Sequence, residues 1–127
     1  MVKTMHTTQI ILQCTVALGL LNVWLLRANR STPYRGGNAQ TMREEFATYG
    51  LPPLVMYLVG TLKVGAAVCL IAGVWWPPLV FPAALLSALL MVGALAMHIK
   101  IHDPVQKSLP AVLLLLISVG ICFLDRS

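Results

Sequence analysis

Charge is scarce in this chain. Of 127 residues, 10% are charged, with only four acids against nine Lys and Arg. A soluble domain carries about 25% charged residues. Cysteine is scarce too. Cys14, Cys69 and Cys122 lie singly in apolar segments and form no C-x-x-C, which removes the thiol–disulfide signature of membrane-bound oxidoreductases. No metal-ligand spacing, haem motif or flavin motif occurs, so no motif requires a cofactor. The first apolar run ends in "WLLRANR" with no small-x-small cleavage site and reads as a retained span rather than a signal peptide.

What remains is apolar: 58% of residues are hydrophobic. The net charge of +5 does not point to nucleic acid, because the basic residues cluster beside apolar spans, where they set topology. Four spans emerge, at Thr8–Leu26, Leu54–Trp75, Pro78–Ile99 and Leu109–Leu124. Each approaches the ~20 residues that cross about 30 Å of hydrocarbon. In lipid every backbone polar group needs an internal partner, so these spans are helices. The expectation is an all-α, integral membrane four-helix bundle, with residues 1–127 forming a single domain.

The connections carry signals of their own. "WWPP" at 75–78 joins spans two and three as a tight antiparallel hairpin, with Trp75 and Trp76 at the membrane interface. Asp103-Pro104 marks a turn, and Ser108 is the expected cap of the fourth helix, with Pro110 in its first turn. The long connection from Arg27 to Pro53 divides into a polar loop and a short helix over Thr41–Tyr49. Thr41-x-x-Glu44 is a capping box and Gly50 a C′ glycine. Met42, Phe46 and Tyr49 share one face, Glu45 flanks it and Glu44 points away. That amphipathic pattern predicts a helix lying over the bundle mouth. Small residues repeat at Thr61, Gly65, Cys69 and Gly73, a spacing expected of a helix-packing face.

Arg27, Arg30, Arg35, Arg43, Lys100 and Lys107 fall on one side of the membrane, against Lys3 and Arg126 on the other. The positive-inside bias places loops 27–53 and 100–108 in the cytoplasm.

One residue stands against its surroundings. Lys63 lies nine residues past Leu54 and twelve before Trp75, roughly 14 and 18 Å along a helix and so near the midplane. A central lysine costs about 2.5–3.5 kcal/mol on insertion scales. Structural pairing and ligand contact both answer that cost. Its face of the helix includes Met56, Gly60 and Ala67. His98 falls near the end of the third span, roughly 13 Å from the level of Lys63 towards the basic loops. Arg27, Glu45, His102 and Asp103 gather at that end. These residues, with Lys63 as floor and Glu45 and His98 at the mouth, outline a ligand cavity. His98 and His102 have the i, i+4 spacing of a metal pair, but no further ligand is spaced to complete it.

The segments "RGGNAQTMREEFATYGLP", "VGTLKVGAAVCLIAG" and "MHIKIHDPVQKSLPA" resemble the DoxX-like family of small four-helix membrane proteins. The resemblance covers nearly the whole chain and rests on Phe-x-x-Tyr-Gly-Leu-Pro (46–52), Gly-x-x-Lys (60–63) and His-x-x-x-His-Asp-Pro (98–104). It implies a bacterial cytoplasmic membrane and a link to redox complexes. Two function classes stand side by side: a non-catalytic membrane module holding a lipid-like or quinone-like molecule or a partner subunit, and a quinone-handling subunit of a membrane oxidoreductase complex. Oligomerisation is compatible with either, and a transporter built from four short helices would need it.

Overall fold

The computed structural model describes residues 7–26 and 36–126. The described residues form α1 (Thr7–Leu21), α2 (Met42–Thr48), α3 (Pro53–Ala72), α4 (Val80–Lys100) and α5 (Val105–Arg126). Four stretches are long and apolar enough to cross a bilayer: Thr7–Leu25, Pro53–Ala72, Pro77–Lys100 and Val105–Asp125. The chain is a multi-pass membrane protein. The long helices contact one another in the cyclic order α1, α3, α4, α5, with the most extensive contact between α4 and α5.

The bundle core is built from small and aliphatic side chains, among them Val16, Ala17, Ala67, Leu70, Val80, Ala83 and Ala84. Lipid tails are as apolar as leucine, so contact between helices depends on close packing and on interhelical hydrogen bonds. Both are present. Gln13, fully buried, donates its Nε2 to the Leu70 carbonyl of α3 at 3.0 Å. The Ser87 and Ser118 hydroxyls meet at 3.0 Å between α4 and α5. Such bonds contribute on the order of 0.6 kcal/mol each. Large apolar residues instead cover the outside, including Leu18, Leu58, Leu89, Leu116 and Phe123. Trp75 and Trp76 are exposed in the α3–α4 connection, where a 3₁₀ turn over Pro77–Leu79 precedes α4.

Two expectations are corrected. α5 starts at Val105, directly after Asp103-Pro104, so Ser108 lies inside the helix instead of capping it, and Pro110 is a helix-interior residue. Proline is favoured at a helix start, and Pro104 supplies the start one turn before Ser108 could. Of the expected stripe, Cys69 and Gly73 pack against the bundle core, but Thr61 and Gly65 do not. Both residues are exposed, while Met56, Gly60, Ala66, Ala67 and Leu70 form the inner face of α3. A four-residue repeat of small side chains defines a stripe but not the side it faces.

The lid helix α2 forms where the sequence placed it. Thr41 Oγ1 accepts the Glu44 amide at 3.2 Å, and its hydroxyl donates to Glu44 Oε2 at 3.2 Å. At the other end Gly50 takes φ +81, a left-handed backbone that suits glycine. Gly50 N donates to Ala47 O and Leu51 N to Phe46 O, at 3.0 and 2.9 Å. This pair of bonds is a Schellman closure. Met42, Phe46 and Tyr49 are buried and Glu44 is exposed. Phe46 packs with Met56, Trp24 and Leu51 in a cluster distinct from the main core. Phe46→Ala is therefore expected to destabilise the protein in detergent by about 3 kcal/mol. Glu44→Ala should shift the melting temperature far less. Equal effects on thermal unfolding would mean that α2 is not docked.

Candidate functional site

Between α1 and α2 the backbone departs from the α-helix. Asn22–Leu26 forms a single π-helical turn. Such turns are rare and are frequently found at functional sites. This one carries Trp24 onto α3 at Gly60. A Cβ at position 60 would lie 2.6 Å from Trp24 Cζ3, so only glycine admits the indole there.

Trp24 begins a wall of rings. Trp24 and Phe46 have centroids 6.0 Å apart, Phe46 and Tyr49 6.0 Å, and Tyr49 and His98 5.9 Å, all edge-to-face. Each aromatic pair of this geometry adds about 0.5–1.5 kcal/mol beyond its burial. The wall bounds a cavity of about 680 Å³ enclosed by the end of α1, α2, α3, α4 and α5. Most of its lining is apolar. Its polar groups include Lys63 from α3, Glu45 from α2, His98 from α4 and Lys107 from α5.

Lys63 Nζ lies 5.4 Å from the centroid of the Trp24 ring. No described carboxylate stands within 4.0 Å of it, and Glu45 acts on its charge from farther away. The Trp24 Nε1 donor is itself buried with no hydrogen-bond partner among the described residues. Glu45 Oε1 accepts the Tyr49 hydroxyl at 2.6 Å, which holds the carboxylate beside the ring wall.

The cavity mouth is fastened at the α4–α5 turn. His98 Nδ1 and Asp103 Oδ2 are 2.7 Å apart, with both side chains almost fully buried. An ionised carboxylate only accepts, so Nδ1 carries the donating proton, and Nε2 is the ring nitrogen left to the cavity. Asp103 Oδ1 accepts the Gly37 amide at 3.0 Å. Lys107 Nζ donates to the Gly37 carbonyl, and Lys100 Nζ donates to the Tyr49 carbonyl at 2.8 Å. Burial pushes the Asp103 carboxyl up. The His98 and Gly37 hydrogen bonds, with the His98 and Lys107 charges, outweigh it and hold the group below its ordinary value.

Of the residues expected to form a site, Lys63, Glu45 and His98 line one cavity. Asp103 stands behind His98 and positions it. His102 is exposed, at φ +57, outside the cavity. The i, i+4 histidines thus do not converge: His98 Nδ1 is committed to Asp103, and no cluster of three or more His, Cys, Asp or Glu suited to a metal exists among the described residues. Arg27 lies outside the described residues. Sequence reasoning did not single out Tyr49 and Trp24 as site residues. Tyr49 was legible only as part of the lid's apolar face, and nothing in the sequence marks the π turn that delivers Trp24.

A model of the DoxX-like family matches residues 34–120, a span that runs from the loop before α2 into α5 and contains Glu45, Lys63, His98 and Asp103. The chain belongs to the DoxX-like family. No curated protein and no solved structure matches it. The matched region of this DoxX-like chain holds Glu45, Tyr49, Lys63, His98 and Lys107 of the cavity lining, together with Asp103.

Proposed function

We propose that this DoxX-like protein is a membrane module that holds one molecule in the cavity beneath α2. The occupant has an apolar body and a hydrogen-bond-accepting or acidic head, as a lipid-like or quinone-like molecule has. A segment of a partner subunit with that chemistry satisfies the same requirement. The observation that carries the reading is Lys63: an amine at mid-membrane depth, inside a largely apolar cavity, facing an aromatic ring and no described carboxylate within ion-pair distance. A buried polar group without a partner costs free energy, and an acceptor brought by a ligand removes that cost. The test is mass spectrometry of lipids and quinones retained after gentle purification, with Lys63→Met alongside.

A second reading, a quinone-handling subunit of an oxidoreductase complex, is favoured by one observation. His98 presents a carboxylate-backed imidazole to the same cavity, an arrangement suited to taking up or giving a proton. A quinone whose oxidation state is unchanged by any co-purifying partner would count against it.

We place the protein in a bacterial cytoplasmic membrane with the basic loops inside. Asn38 and Gln106 are both exposed on those segments. Single cysteines there, in a background lacking the three native ones, should resist an impermeant thiol reagent in intact cells. Labelling of both without permeabilisation would reverse the orientation.

A further inference from the structure

A second cavity, about 710 Å³, lies on the outer, lipid-facing side of α3. Trp24 and Met42 form its back wall and separate it from the inner one. Tyr57, Thr61 and Gly65 run along its floor, one helical turn apart, and all three are exposed. From Tyr57 to Gly65 is eight residues, about 12 Å of helix. Tyr57 lies one turn inside the start of α3, at interfacial depth, and Gly65 near mid-helix. The groove therefore descends from headgroup level into the hydrocarbon.

Its upper end carries one cation. Arg43 Nη2 donates to the Tyr57 hydroxyl at 2.7 Å, and the guanidinium sits 5.9 Å from the ring centroid. That bond uses one of five guanidinium N–H donors, and the hydroxyl keeps its own proton to give. A fixed guanidinium with spare donors matches a phosphate in charge and geometry. Beneath it is an apolar trough where a Cβ added at Gly65 would meet nothing within 4 Å.

We propose that this groove binds one phospholipid, with its phosphate on Arg43 and Tyr57 and an acyl chain laid over Thr61 and Gly65. The site is independent of the inner cavity, since Lys63 does not line it.

The test reconstitutes the full chain and compares binding of phosphatidylglycerol with diacylglycerol, which lacks the phosphate, by native mass spectrometry. The intact protein should prefer the phospholipid by about tenfold, the value of one charge-assisted hydrogen bond. Arg43→Gln should abolish that preference. Gly65→Leu should weaken both lipids while the protein stays folded, because leucine is the better helix former and the space is open. Gly120→Leu, equally uncrowded on α5, should change neither. Lys63→Met should leave phospholipid binding intact, which separates this site from the inner one. Unchanged lipid binding in a folded Gly65→Leu protein would overturn the proposal. So would a phosphate preference that survives Arg43→Gln. Loss of an oligomer in Gly65→Leu with lipid binding unaltered would also overturn it, by making the groove an interface between copies.

Discussion

Lys63→Met should raise the melting temperature and strip the protein of its bound molecule. The two effects have one origin. In the emptied cavity the ammonium has a π face and a distant carboxylate, and no described ion-pair partner. Methionine keeps most of the length of the side chain and removes the charge. No described carboxylate is orphaned by the change, so the usual penalty for breaking a buried pair does not arise. The gain expected from the insertion cost of a central lysine is on the order of 2 kcal/mol. The ligand's head, in contrast, loses its donor. Melting temperature and retained lipid or quinone, measured on the same preparation, decide the matter. A lower melting temperature with retention unchanged would make Lys63 a structural residue and remove the ground for a ligand. Trp24→Phe adds a check, because it keeps a ring face for the amine while deleting an indole donor that has no partner among the described residues. It should weaken retention less than Lys63→Met does.

The opposite sign is expected at the mouth. Asp103→Ala removes the acceptor for both the His98 imidazole and the Gly37 amide, and leaves Lys107 without its nearby counter-charge. The buried His98 imidazole and the half-buried Gly37 amide then lack this partner. The loss should be about 2–3 kcal/mol, or roughly 5–10 °C in melting temperature. It should appear first as faster hydrogen exchange across α2 rather than as global unfolding. Acid should imitate the substitution. Asp103 titrates below its ordinary value, so its contribution is fully present above the unfolded pKa of about 3.9 and fades as pH falls through the lower, folded value. Asp103→Asn should flatten the acid limb of a stability–pH curve in that window. A limb as steep as that of the unaltered protein would assign acid sensitivity to another group.

The long helices were legible in the sequence because lipid leaves an apolar run of that length no alternative. α2 was legible because Thr41, Glu44 and Gly50 each perform a local job that needs nothing from the rest of the fold. The inner face of α3 was readable from Lys63 itself, since the residues that must share its side are Met56, Gly60 and Ala67. Other features depended on longer-range geometry. Ser108 and Pro110 mimic a helix start, but Pro104 had already begun α5. The histidines at 98 and 102 have ligand spacing, yet the left-handed turn at His102 ends the helix and brings Asp103 to His98 instead. The π turn at Asn22–Leu26 changes no residue's apolar or polar character, so periodicity passes over it.

The α2 segment is tied down through its main chain. Asp103 and Lys107 hold the amide and carbonyl of Gly37, and Lys100 holds the carbonyl of Tyr49. Main-chain groups are common to every amino acid. The anchors therefore place few demands on which side chains the segment carries between them, apart from the backbone freedom that glycine supplies at 37 and 50. Apolar side chains of similar bulk can be exchanged along its inner face while its position is kept, and the segment behaves as an interchangeable cassette on a fixed frame. A protein built this way can acquire a new ligand preference by rewriting a handful of codons between Asn38 and Thr48, with the membrane-spanning frame left as it was.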